Sequence, residues 1–113
     1  MAIKSRVAKD VRSISRIAAR LNCQLMHEGN KFEAVVLDIS LNGAFLSSTH
    51  LPPTGSTVAI ALKPPTSNHD LTLEGKVIRG TWAMSDHGKL GRFGIRFSHN
   101  SLALIKLIGS LNK

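Results

Sequence analysis

The chain has 113 residues, 42% of them hydrophobic and 19% charged, a size and balance that suit one compact domain with an apolar core and exclude a disordered tail protein. Fifteen Lys and Arg against seven Asp and Glu give a formal charge of +8, which favours an anionic partner such as a nucleotide, a nucleic acid or an acidic surface. The lone cysteine, Cys23, excludes an internal disulfide and a cysteine-based zinc or redox pair. No run reaches the roughly 18 apolar residues of a membrane span, and the basic N-terminus lacks a signal-peptide apolar stretch. The expected setting is cytoplasmic, without membrane insertion.

The charge is uneven. Lys4, Arg6, Lys9, Arg12, Arg16 and Arg20 face only Asp10 within the first 20 residues. Ile3, Val7, Val11, Ile14 and Ala18 recur at steps of three and four, with the later cations along the opposite stripe. That pattern fits a short amphipathic helix. It fits equally a basic arm that orders only on binding, because an isolated helix of this length is marginal in water. Residues 1–18 are therefore set apart as an N-terminal arm, with residues 19–113 as the folded domain.

From residue 19 the period shifts towards two, and turn signals divide the chain into short runs. A strand over residues 20–27 is closed by Glu28-Gly29-Asn30 and followed by a second over 31–39. Residues 43–48 make a third, ended by Pro52, Pro53 and Gly55. Residues 57–63 place Val58, Ile60 and Leu62 on one face, and residues 70–79 align Leu71, Leu73 and Val77, with Gly80 to Trp82 as an extension or a bulge. Residues 85–91 read as a loop. In the sixth run Phe93, Ile95 and Phe97 alternate with Arg92, Gly94 and Arg96. Leu104, Leu107, Ile108 and Leu111 then return to helical spacing over about residues 100–112, with Asn100 or Ser101 as N-cap. Six short strands and one helix predict an all-β fold, a closed antiparallel barrel plugged at one end, because closure removes exposed edges.

Two constellations carry chemistry. Asp38 and Ser40 stand two apart before Gly43; on a continuing strand both point to one face, and Gly43 suits the positive φ of a tight reversal. Taken alone, such residues also suit a turn bonded only to its own backbone. Arg12 and Arg16 are four apart, and a guanidinium grips phosphate bidentately or donates to the O6 and N7 edge of guanine. Taken alone, they suit a solvated basic face.

Together, Arg12-Ser-Ile-Ser-Arg16 and Asp38-Ile-Ser40-Leu-Asn-Gly43 resemble the RxxxR and [DN]xSxxG signature of the PilZ family. Val35-Val36-Leu37 before the second motif and Gly94-Ile95-Arg96-Phe97 in the last strand are also similar to that family, and the likeness covers about residues 10–110. Arg16 and Arg20 form a second RxxxR, but Arg20 falls within the first strand. Where many members carry another basic residue before the first arginine, this chain has Val11.

The resemblance implies a six-stranded PilZ-type barrel that binds cyclic di-GMP on its outer surface, with Arg12, Arg16, Asp38, Ser40 and Gly43 as contacts. The arginines would clamp phosphate and guanine, Asp38 would accept from a guanine donor, and ordering of the arm would pass the signal to an effector protein. Trp82 is a further candidate, as a stacking platform for a guanine. An alternative is a PilZ-like interaction module of pilus or motility machinery that takes no ligand. A small nucleic-acid-binding barrel is a third reading, disfavoured by four Phe, one Trp and no Tyr. The histidines at 27, 50, 69, 87 and 99 share no metal-ligand spacing, and neither a catalytic arrangement nor a cofactor is expected.

Overall fold

The computed structural model describes residues 17–64, 70–86, 88–99 and 101–111. Six antiparallel strands form the ring: β1 (Ile17–His27), β2 (Asn30–Ile39), β3 (Gly43–Ser48), β4 (Thr57–Leu62), β5 (Leu71–Ser85) and β6 (Gly88–Phe97). Their order around it is β1-β2-β3-β6-β5-β4, closed by pairing of β1 with β4. A helix, α1 (Leu102–Leu111), follows.

Alternation sends one set of side chains inward. Leu25, Val36, Ile39, Leu46, Ile60 and Phe93 are wholly buried, and Leu104 and Leu107 of α1 join the same cluster. The helix thus plugs the barrel, as its spacing predicted. Ser101 caps it: the Leu104 amide donates to Ser101 Oγ at 3.1 Å, and the Ile105 amide to the Ser101 carbonyl at 3.1 Å.

The first hairpin reverses through Glu28 and Gly29, with φ of 53° and 82°, between paired His27 and Asn30. Two successive positive φ values match the right-handed twist of the flanking strands.

β1 starts at Ile17, so Ile17 and Ala18 pair in the sheet where the arm was expected to run to residue 18, and two further expectations change. β5 runs on to Ser85, and β6 starts at Gly88, where a loop over 85–91 was predicted. Trp82 pairs with Gly91, Ala83 with Leu90 and Met84 with Lys89, so the hairpin needs only a short reversal, where Ser85 Oγ donates to the Gly88 carbonyl at 2.8 Å. Polar and glycine-rich residues suit turns, but here they sit at the end of a solvated two-stranded ribbon.

The other concerns alternation itself. Register shifts fall between Ala18 and Leu21, between Val36 and Asp38, and between Val77 and Arg79. Such bulges re-aim the side chains that follow. Among the described residues no helix is long and apolar enough to cross a membrane.

Candidate functional site

Val36 is buried, and an unbroken strand would turn Asp38 to the same inner face. Leu37 is instead the extra residue of a bulge: Val36 pairs with Leu46 and Asp38 with Phe45. The shift sends Ile39 inward, wholly buried, and brings Asp38 to the outer surface, half-buried. β5 repeats the device. Leu71, Leu73 and Val77 are buried, yet Arg79 is exposed, because Ile78 is an extra residue between the Val77–Ile95 and Arg79–Gly94 pairs.

The two bulges place a carboxylate and a guanidinium on one row. Asp38 pairs with Phe45, Phe45 with Gly94 and Gly94 with Arg79, across β2, β3, β6 and β5. These four residues and Ile78 line a depression of about 430 Å³. The next row carries Gly43, Arg96 and Lys76. Like charges directly opposed weaken a sheet, and Arg96 and Lys76 are such a pair, without an ion-pair partner among the described residues. They border a second cavity of about 500 Å³ with Ile78 and Ser98. The face thus offers a carboxylate acceptor, an aromatic ring, a guanidinium and two further cations, a set suited to a flat, hydrogen-bonding, anionic ligand.

Ser40 takes a different part from the one expected beside Asp38. It lies past the end of β2, is 7% exposed, and its hydroxyl accepts from the amides of Asn42 at 3.1 Å and Gly43 at 3.2 Å. Its own amide donates to the Gly43 carbonyl at 2.8 Å. The serine holds the reversal between β2 and β3, the local role open to it in the sequence.

Gly43 is also needed for another reason than the one foreseen. It is absent from the positive-φ glycines, which are Gly29, Gly55 and Gly88. A Cβ at Gly43 would lie 2.1 Å from the Ile95 carbonyl oxygen. Glycine is required there by the close approach of β6.

Arg12 and Arg16 lie outside the described residues. Trp82 is 46% exposed, with Lys89 Nζ 5.0 Å from its ring centre. It follows Arg79 by three positions, so alternation assigns it to the opposite face of β5 from Arg79 and Thr81. The depression at Asp38 does not include it.

Sequence reasoning missed Arg79 and Phe45. By spacing from Leu71, Leu73 and Val77, Arg79 belongs inside, and no local signal marks the bulge that reverses it.

Two polar features lie away from this face. His27 Nδ1 and His50 Nε2 are 2.9 Å apart, and His50 stacks on Phe32 at 4.0 Å between ring centres. Burial, and secondly the neighbouring His27, lower the His50 pKa below its usual 6.5. Burial pushes the Cys23 thiol up to about 11. Among the described residues no group of three His, Cys, Asp or Glu is placed to hold a metal.

Comparison with known proteins connects this arrangement to others. The fold is similar to that of the Bacillus subtilis inhibitor of motility MotI/DgrA, with TM-score 0.64 and 14% identity over 87% of this chain. This chain spans 48% of that one. It is similar to the PilZ domain with c-di-GMP of YcgR from Escherichia coli, with TM-score 0.63 and 18% identity, covering 86% of this chain and 88% of that one. It is also similar to the PilZ domain of CeSA from a cellulose-synthesizing bacterium, with TM-score 0.61 and 20% identity, covering 87% and 98% respectively. No curated protein sequence matches. At these identities the structural likenesses establish the fold. The PilZ domain family model matches residues 10–112, nearly the whole chain and both signature motifs, and this protein therefore belongs to the PilZ domain family.

Proposed function

We propose that this protein is a non-enzymatic receptor for cyclic di-GMP, which it binds on the outer face of the barrel and reports to a partner protein through ordering of its N-terminal arm. The observation that carries the reading is the row Asp38–Phe45–Gly94–Arg79, flanked by Arg96 and Lys76. The ligand has two phosphates and two guanines. Asp38 accepts from a guanine N1 or N2 donor, Arg79 and the flanking cations meet phosphate or the O6 and N7 edge, and Phe45 offers a ring beneath a base. Family membership supports the reading, as does the YcgR domain described with c-di-GMP.

In this proposal Arg12 and Arg16 complete the site. β1 begins at Ile17, which pairs with Ile39 beside Asp38. In this reading the two signature arginines reach the acceptor from the chain that precedes Ile17. Ser40 and Gly43 serve by shaping the reversal that holds Asp38 and the Arg96 row in place.

Calorimetric titration with cyclic di-GMP, beside GTP and single-stranded DNA, tests the reading. The parent is expected to bind the dinucleotide selectively. Arg16→Ala should abolish measurable binding, and Asp38→Ala should weaken it about 10- to 100-fold, the loss of a charged hydrogen bond, with an unchanged circular dichroism spectrum. A parent that takes up no cyclic di-GMP overturns the proposal and returns the chain to a ligand-free interaction module.

A further inference from the structure

β5 outruns its neighbour on one side. β4 pairs with it only from Leu71 to Lys76, and the segment before β4 adds bonds at Val77 through Gly55 and Ser56. β6 stays paired as far as Ser85. From Ile78 onward no described strand lies beside β5 on its other side. Ile78, Trp82 and Met84 are 49%, 46% and 77% exposed. Folded proteins ordinarily guard such an edge with charges, prolines or bulges. Here the bulge and Arg79 guard only its start, and Gly80-Thr81-Trp82-Ala83-Met84-Ser85 carries neither charge nor proline.

We propose that this edge pairs antiparallel with the same edge of a second copy of the chain, about a twofold axis at Trp82, continuing the sheet from one molecule into the next. The register follows from the geometry. Val77 already has backbone partners, so the stretch available for pairing runs from Arg79 to the end of β5 at Ser85, and its midpoint is Trp82. Residues directly opposed in a sheet share a face, and a twofold at Trp82 opposes the two indoles.

The same operation sets Met84 against Gly80 of the second copy. A Cβ at Gly80 would lie 2.7 Å from Leu51 Cδ1, so that Met84 arrives beside Leu51. Thr81 meets Ala83 on the other face. Arg79 meets Ser85 next to Asp86, a cation beside an anion at each end of the paired stretch. The two Arg79 side chains are kept apart, at opposite ends. Apolar groups thus face apolar groups, and the one edge cation faces the ribbon's one acidic residue. A displaced centre loses this: at Thr81 the pairing would need Val77, and at Ala83 it would run past the end of β5.

Two strands of this length bury less than a standard interface of about 1,600 Å², and each copy carries a formal charge of +8. The dimer is accordingly weak and tightens as salt screens the repulsion. A foreign acidic strand on the same edge would show the reverse salt dependence.

The test is sedimentation equilibrium of the full chain without nucleotide, from low-micromolar to millimolar concentration, at low and high salt. A monomer–dimer equilibrium shifted towards dimer by salt is expected. A single monomeric species throughout, at both salt concentrations, overturns the proposal and leaves the edge to a different partner.

Cysteine crosslinking checks the register. Trp82→Cys should form a disulfide-linked dimer under mild oxidation, since the twofold opposes residue 82 to itself within disulfide reach, whereas Met84→Cys should not. The double variant Thr81→Cys/Ala83→Cys retains the indole and should crosslink as well. Cys23 is buried and does not compete. Equal crosslinking of Met84→Cys and Trp82→Cys would refute the twofold. The measurement uses no cyclic di-GMP, so its failure and that of the ligand reading are separate results.

Discussion

Asp38 and Arg79 reach the outer surface only because an extra residue precedes each of them, and they should be separable from the fold. Arg79 is exposed, so Arg79→Ala should leave stability within about 0.5 kcal/mol while lowering cyclic di-GMP affinity about tenfold, read by thermal melts and calorimetry on one preparation. Gly43 behaves oppositely. With the Ile95 carbonyl 2.1 Å from any Cβ, Gly43→Ala should cost about 1–3 kcal/mol by forcing β3 and β6 apart, seen in denaturant midpoints without ligand. The histidine pair makes a third case. Its hydrogen bond needs one ring nitrogen to donate and the other to accept, and the His50 pKa lies below 6.5 when folded. The unfolded chain therefore takes up the proton more readily. The stability contributed is present above about pH 6.5 and is lost as pH falls through the folded pKa. Thermal melts from neutral to mildly acidic pH should fall more for the parent than for His50→Gln. Cys23, with its thiol pushed up to about 11, should react with a disulfide reagent at mildly alkaline pH far more slowly folded than in denaturant.

Among the elements, the first hairpin and the last helix follow their sequences closely, and each offers a local test. Glu28 sits at φ 53°, a region costly for most side chains and tolerated by Asn. Glu28→Asn should raise stability by about 0.5 kcal/mol, measured by chemical denaturation. These elements were legible because their signals are local: Glu-Gly at a tight reversal, and Ser101 before Leu104 and Leu107 at helical spacing. β3 and β4 were legible for a related reason, since unbroken alternation such as Val58, Ile60 and Leu62 leaves one choice of inner face. β5 was not. Its bulge breaks alternation where neighbouring strands must keep register with Gly94 and Ile95, and its final turn pairs residues that read individually as loop.

At the scale of the whole molecule, six strands close into a ring whose order places Asp38 of β2 and Arg79 of β5 on one surface. In the proposed mechanism the arm is the moving part and the ring its seat. Removal of residues 1–16 should therefore abolish cyclic di-GMP binding while leaving the β-type circular dichroism spectrum and cooperative melting intact, because the described core and barrel closure lie within residues 17–111. Sequence was sufficient for the all-β class, for the terminal helix and for the motif pairing RxxxR with DxSxxG, since periodicity, turn chemistry and motif spacing are properties of a contiguous chain. It left open to Ser40 the local turn that Ser40 takes, and it gave Gly43 a positive φ that the backbone there does not adopt. Tertiary structure alone decided that Gly43 yields to the β6 backbone, that Arg79 joins Asp38, and that Trp82 belongs to a two-stranded ribbon. Each of these depends on which strand lies alongside and in what register, and pairing between residues distant in the chain leaves no trace in the order of either segment.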